Sequence, residues 1–348
     1  MRNIRINIVI VVQLLISISL GLLCSCTPDN NPSVAAYTIK VGTYNLWCAH
    51  SRTKKLSADS GIDSQRYWKQ SSVAMNAIVD EMDCDIYAFQ EIGDSIYGKK
   101  GSLTALKTHM GGAGYEWKIW SNVDGTSVTD KSGSLNYSPG ICYKKSVFTF
   151  LGGGVFWLGG NPEKPEFVRT EDFDPQYGDD NRACVWARMR HKPTGKVFYF
   201  MSAHLDTRSF SGVSYKIVND HNCMNLMYHA DNFIVPEGVP SIIAGDMNVA
   251  PNGSGYANLM NHQGRRHIWN DAYCLAEEAG LLGPTAVTSP STINSAKGEI
   301  GSSRIDHVFV DGFDVIDYDI NQKKYKTENG AEHYPSDHFP VIVTLKFS

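Results

Sequence analysis

The chain has 348 residues, 42% of them hydrophobic, and its 36 acids against 32 bases give a formal net charge of −4. That balance argues against a protein whose main task is gripping long nucleic acid, which needs a basic surface; small or locally anionic substrates fit more easily. No internal repeat, low-complexity block or Pro/Ser-rich linker divides the body of the chain, so a single large domain is expected.

The N-terminus reads as a targeting segment. Arg2 and Arg5 precede an apolar run from Ile8 to Leu23, followed by Leu23-Cys24-Ser25-Cys26. This is the layout of a secretory signal and is short for a membrane span, an uncleaved anchor being the alternative. The Leu-x-Ser-Cys ending resembles a bacterial lipobox, which implies Cys26 as the lipidated first residue of the mature protein. The expected division is a signal peptide over 1–26, a tether over 27–36 and one domain over 37–348. An exported, membrane-anchored lipoprotein follows, facing the periplasm or cell surface and meeting the membrane through its lipid only. Removing residues 1–26, which hold two bases and no acid, leaves a charge of −6. Six cysteines remain beyond Cys26, none in C-x-x-C spacing, and buried free thiols are the expected state for most.

Tyr37 to Leu46 alternates apolar and polar residues and predicts a strand. Residues 64–82 carry apolar side chains at helical spacing, and Asp85 to Gln90 predicts a short strand that delivers Glu91. A Gly-rich loop is expected near Gly111 to Gly114. Strands are expected over Glu116–Ser121, Gly140–Tyr143, Cys184–Arg190 and Val197–Ala203. A second helix is expected over Ser214–Phe233, then a compact apolar strand, Pro240–Ala244, ending in Gly245-Asp246. Ile305–Val310 and Phe313–Asp319 flank Asp311-Gly312, which reads as a hairpin turn. Phe339 to Leu345 predicts a final buried strand. The class is therefore α/β or α+β, sheets covered by helices.

Chemistry-bearing residues recur where apolar strands end: Asn45, Glu91, His204 with Asp206, Asp246 with Asn248, and Asp306 with Asp337-His338. Charged and ionisable groups beside a core are costly unless they hold a metal, a proton partner or a substrate. Five such ends, mixing carboxylate, amide and imidazole, point to a metal-assisted hydrolytic site on rigid elements.

Seven stretches carry a family resemblance: Thr43-Tyr44-Asn45-Leu46-Trp47, Phe89-Gln90-Glu91-Ile92, Gly140-Ile141-Cys142-Tyr143, Ser202-Ala203-His204-Leu205-Asp206, Gly245-Asp246-Met247-Asn248, Ser303-Arg304-Ile305-Asp306-His307 and Ser336-Asp337-His338-Phe339-Pro340. In this order they resemble the endonuclease/exonuclease/phosphatase superfamily of DNase I-like, metal-dependent phosphoesterases. The resemblance implies a four-layer sandwich, two face-to-face and mostly antiparallel sheets with helices outside. It also implies a phosphate-ester substrate and Mg²⁺, with Mn²⁺ or Ca²⁺ as alternatives. Glu91 then matches the principal metal-binding carboxylate and Asn45 an amide that serves both metal and phosphate. Asp246 and Asn248 match the pair that holds the attacking water and contacts the phosphoryl group. Asp306 and His338 match an Asp–His dyad, with His338 and Asp246 both open as the base. His204 matches a second histidine that stabilises charge or protonates the leaving group. Asp337 matches a further metal-associated carboxylate, Asp206 a supporting residue and Arg182 a phosphate-facing arginine.

One departure stands out. DNase I-type enzymes place a glutamate just before the strand matched by Gly140 to Tyr143, where it supports the histidine matched by His204. Here that region is Asn136-Tyr137-Ser138-Pro139, without an acid, which weakens a nuclease assignment. The competing expectation is a non-catalytic binding lipoprotein on the same scaffold. Substrate, metal count and oligomeric state are not legible at this level.

Overall fold

The computed structural model describes residues 37–47, 68–92, 102–128, 138–163, 182–207, 214–287, 290–294, 299–326, 330 and 332–348. The signal-like segment, the tether, Cys26 and Cys48 lie outside the described residues. In chain order the first elements are β1 (Thr38–Asn45), α1 (Trp68–Met82), β2 (Ile86–Ile92), α2 (Ser102–Gly112), β3 (Tyr115–Ile119), β4 (Ser138–Lys144) and β5 (Phe148–Trp157). Then come β6 (Ala183–His191), β7 (Val197–His204), α3 (Tyr215–His229), β8 (Ser241–Asp246), α4 (Ser254–Leu259), β9 (Asn270–Asp271) and α5 (Ala272–Glu278). After α6 (Pro284–Val287) and two short strands, β10 (Ile293–Asn294) and β11 (Glu299–Ile300), the chain forms β12 (Asp306–Asp311) and β13 (Phe313–Ile320). Two further short strands, β14 (Tyr325–Lys326) and β15 (Glu332–His333), precede β16 (Val341–Phe347).

Two six-stranded sheets carry the fold, ordered β13-β16-β1-β2-β4-β3 and β5-β6-β7-β8-β12-β9. Each has one parallel pair near its middle, β1 with β2 and β7 with β8. Parallel neighbours need a crossover, and α1 and α3 lie in the two connections. Strand alternation divides the apolar residues into three layers. Val41, Ile86, Ala88 and Ile141 of the first sheet join Phe200, Ile242, Ala244 and Val308 of the second in one buried cluster. Tyr87, Phe89 and Cys142 cluster instead with Met75, Ile78 and Val79 of α1 and Met110 of α2. On the other outer face Met201, Ile243 and Phe309 cluster with Leu226 and Met227 of α3. The expected sandwich of two helix-flanked sheets is the observed architecture.

Three local expectations change. The Gly-rich segment near Gly111–Gly114 is not all loop: Gly111 and Gly112 close α2, an element that sequence reading passed over. Strand β5 was also passed over, because three consecutive glycines erase the apolar alternation. They are accommodated by a register shift between Phe150 and Gly152. A Cβ at Gly153 would meet Trp186 O at 2.5 Å, so the strand pair approaches too closely there for a side chain. Finally, Asp311-Gly312 does not close a hairpin. β12 pairs with β8, while β13 pairs with β16 in the opposite sheet. The turn passes the chain across the sandwich, which lets Phe313 pack on Phe198 and Phe347 at the end of the inter-sheet core.

Cys84, Cys142, Cys184 and Cys223 are buried free thiols, and Cys274 is free and half-buried. Burial pushes the Cys84 thiol up to about 12 and holds Cys142 and Cys184 well above the ordinary range, so these sulfurs are packing groups.

Candidate active site

The same alternation that builds the inter-sheet core delivers the polar cluster at its end. Thr43 and Asn45 continue the inward row of β1, Ser202 and His204 that of β7, Asp246 that of β8, and Asp306 begins that of β12. Strand pairing brings these ends level. Asn45 lies opposite Gln90, His204 opposite Asp246, and Asp306 opposite Asp246. His338 stands just ahead of β16, whose Val341 pairs with Thr43 of β1. Glu91 is the exception to parity, since alternation would send it with Tyr87 and Phe89 toward α1. The β2–β4 register shifts between Phe89 and Ile92, and Glu91 has φ 55°, which re-aims its carboxylate. Asn248 (φ 52°) and Trp47 (φ 55°) share this left-handed backbone, and such strain gathers at functional sites. At Gly245 a Cβ would lie 2.0 Å from Ala203 O, so only glycine lets β8 press against β7 immediately before Asp246.

Asp246 is the hub. Asn45 Nδ2 donates to Asp246 Oδ2 at 2.9 Å and to Glu91 Oε1 at 3.1 Å, tying the two sheets together. Both histidines converge on the same oxygen, His204 Nε2 at 3.5 Å and His338 Nε2 at 3.7 Å. The other ring nitrogens have opposite partners. His338 Nδ1 meets Asp306 Oδ2 at 2.8 Å, whereas His204 Nδ1 meets the Arg182 guanidinium Nη1 at 2.8 Å. Arg182 Nη2 is also 3.9 Å from Asp206 Oδ1.

Burial pushes the Asp246 carboxyl up to about 7; the His338 charge opposes this, while Asp306 adds to it. Burial likewise disfavours a charged His338, but Asp306 and then Asp246 outweigh it and hold the imidazole well above its ordinary value. Both groups therefore sit far from their solution behaviour, 3.7 Å apart.

The structure brings together Asn45, Glu91, His204, Arg182, Asp206, Asp246, Asp306 and His338. Asn248 is adjacent through its backbone, its N–H donating to Asp246 Oδ1 at 3.0 Å. Its side-chain amide, however, donates to Leu205 O at 2.8 Å. Asp337 is half-buried beside His338, with Ser336 Oγ 3.5 Å from its Oδ1. Sequence reading missed the residues that hold these groups still. Ser291 Oγ accepts from the backbone N–H groups of Ile305 and Asp306 at 3.0 and 3.1 Å. Ser336 Oγ donates to Asn45 O at 2.6 Å and accepts from His338 N at 3.2 Å. Asn219 Nδ2 bridges Asp206 O and Met247 O at 3.1 and 3.0 Å. None follows an apolar run as a strand-end signal, so only the fold identifies them.

The donor set fits a divalent cation. Asp246, Asp306 and His338 present ligand atoms all within 4.8 Å of one another. Among the described residues Asp306 Oδ1 is buried without a hydrogen-bond partner, a state that a cation or ordered water relieves. Glu91 adds a further carboxylate, linked to Asp246 through the Asn45 amide N–H groups, and carboxylate oxygens suit a hard ion.

Two face-to-face sheets with carboxylates, amides and histidines converging at one end define the DNase I-like class of phosphoesterases. This chain belongs to the Endonuclease/Exonuclease/phosphatase family, whose family model matches residues 42–338. Among solved structures it is similar to an endonuclease/exonuclease/phosphatase family protein from Bacteroides thetaiotaomicron, with 23% identity, TM-score 0.66, and coverage of 89% of this chain and 98% of that one. A mannosyl-6-phosphatase of the same organism matches with 23% identity, TM-score 0.65, and coverage of 89% and 100%. The human Nocturnin catalytic domain, with bound sulfate anion, matches with 14% identity, TM-score 0.58, and coverage of 89% and 95%. Comparison with curated proteins returned no match. Family membership supports phosphoesterase activity in general.

Proposed function

We propose that this protein is a metal-dependent hydrolase of phosphate mono- or diesters, with Mg²⁺ as the first-choice ion, and that it acts outside the cytoplasm on a lipid anchor at Cys26. The observation that carries the catalytic reading is the convergence of Asn45, His204 and His338 on Asp246 Oδ2, with Glu91 and Asp306 one contact behind. Glu91, Asp246 and Asp306 would hold the cation. When bound, that ion supplies charge neutralisation at the phosphoryl oxygens and a more acidic water.

The remaining work falls to the chain's own groups. Asp246 would orient the attacking water through Oδ2, the oxygen on which Asn45, His204 and His338 converge. Asp306 fixes the His338 ring through Nδ1, leaving Nε2–H directed toward Asp246 Oδ2 as a donor. His204 offers a second donor from the opposite wall. The two Nε2–H groups that face Asp246 Oδ2 are thus donors available to a developing negative charge, which fits electrostatic stabilisation of a phosphoryl transition state. No covalent nucleophile is required.

A panel of phosphate esters with Mg²⁺ or chelator tests the reading. It should span a sugar phosphate, an inositol phosphate, a phospholipid head group, a simple diester and DNA. The similarity to a mannosyl-6-phosphatase puts the sugar phosphate first, and the net charge puts DNA last. Turnover that persists undiminished in chelator removes the metal-dependent mechanism. Binding without turnover of any ester favours the non-catalytic scaffold instead.

A further inference from the structure

Two histidines face one carboxylate oxygen in this site, yet they are backed by groups of opposite charge. His338 has Asp306 behind Nδ1 at 2.8 Å; His204 has the Arg182 guanidinium behind Nδ1 at 2.8 Å. An arginine nitrogen is always a donor and has no acceptor capacity. The His204 Nδ1 in contact with it must therefore present its lone pair. Once Nδ1 is an acceptor, the ring proton of a neutral imidazole resides on Nε2, the atom 3.5 Å from Asp246 Oδ2. An imidazolium would turn two N–H groups toward each other across the Arg182 contact.

We propose that Arg182 is a positioning residue: by donating to Nδ1 it locks His204 as the neutral Nε2–H tautomer, a fixed hydrogen-bond donor rather than a proton-releasing acid. This rests on the phosphoesterase reading and deepens it, because it separates the two histidines by what stands behind each ring. His204 stabilises charge on a phosphoryl oxygen without exchanging a proton, while His338 is backed by the Asp306 carboxylate.

The surroundings of Arg182 support the assignment. Its side chain is almost buried, and Asp206 Oδ1 lies 3.9 Å from Nη2, near enough to compensate the guanidinium charge. Asp206 is itself held by the Asn222 side chain, whose Oδ1 accepts from Asp206 N at 3.1 Å. His204 stays on the rigid end of β7, level with Asp246. Arg182 Nε is buried without a partner among the described residues, so a direct substrate contact is the competing role.

The two roles separate experimentally. Histidine-selective ¹⁵N labelling of the wild-type protein at neutral pH shows which ring nitrogen carries the proton, with the His204 signal assigned by its loss in His204→Gln. The expected result is a single neutral form protonated on Nε2. In Arg182→Met that form gives way to a mixture of tautomers. For the ester turned over in the panel above, kcat falls by about 10²-fold with KM little changed, as for loss of one transition-state donor. Arg182→Lys, which keeps a donor for Nδ1, restores part of kcat. A wild-type His204 protonated on Nδ1, or on both nitrogens, overturns the proposal whether or not the Arg182 variants fold. So does an Arg182→Met enzyme whose KM rises while kcat holds, since that marks a phosphate ligand. The ¹⁵N result stands apart from turnover, so a protein inactive on every ester with a correct His204 tautomer sinks the phosphoesterase reading alone.

Discussion

Two fully buried aspartates lie on either side of strand β12, and they are built in opposite ways. Asp271, on the helix side, accepts from Arg304 Nη1 at 2.9 Å, the Tyr256 hydroxyl at 2.8 Å and the Tyr273 backbone N–H at 3.0 Å, with His307 Nδ1 at 3.2 Å. Arg304 in turn lies 4.2 Å over the Tyr273 ring. Asp246, on the inner side, has two close donors, Asn45 Nδ2 and Asn248 N, while its two histidines stand off at 3.5 and 3.7 Å. Burial works against ionisation at both, but His307 and Arg304 overcome it at Asp271 and hold that carboxyl far below the usual range. At Asp246 burial wins and the carboxyl rises to about 7. Burial alone therefore does not set the behaviour of an acid; the number, distance and charge of its donors do. β12 supplies both environments by alternation, with Asp306 facing inward and His307 outward. One cluster is satisfied and structural. The other keeps a raised carboxyl at Asp246 with its two histidines at longer range.

The comparison is open to breakage, and the largest effect is expected in the under-satisfied cluster. Glu91→Ala and His338→Ala should each lower kcat/KM by about 10³-fold, with thermal midpoints near the wild-type value. A variant that unfolds at the assay temperature would instead make these residues structural. In the satisfied cluster the order reverses. Asp271→Ala leaves the Arg304 charge buried and should cost about 3–5 kcal/mol in denaturant unfolding.

The pH dependence should also run in opposite directions. The lowered Asp271 carboxyl contributes stability that is present above its unfolded value of about 3.9 and is lost as pH falls toward the native value. Asp271→Asn should accordingly flatten the acid side of the stability profile. Asp246 is raised, so its contribution is fully present below the unfolded value and is lost as pH rises from about 4 through about 7. In chelator at pH 8, Asp246→Asn should then be more stable than wild type, by the order of 1–3 kcal/mol, while inactive. Stability measured across that range and found equal for the two proteins would contradict the raised carboxyl. The smallest effect is expected at Ser291→Ala, which removes one acceptor from two backbone N–H groups. It should cost about 1 kcal/mol in unfolding and lower kcat several-fold by loosening Asp306.

The parts of this protein set by local rules were legible in its residues. Alternation and apolar runs placed β1, β2, β7, β8, β12 and β16 within a residue or two, and helical spacing placed α1 and α3. Because side chains repeat every second residue, the polar residue that ends each inward row was visible as a site candidate. Asn45, His204, Asp246, Asp306 and His338 came from that pattern. The remainder depended on pairings between distant strands. Whether Asp311-Gly312 closes a hairpin or crosses the sandwich depends on where Phe313 can be buried, which local sequence does not encode. The helix-ward parity of Glu91 is corrected by a bulge that exists only against β4. Arg182 carried no signal that it would back a histidine, and nothing in the sequence told which groups Ser291, Ser336 and Asp271 would hold. Sequence determined which groups stand at strand ends; only the packed sheets decided which partner stands behind each one, because that depends on contacts between residues as far apart as Ser336 and Asn45.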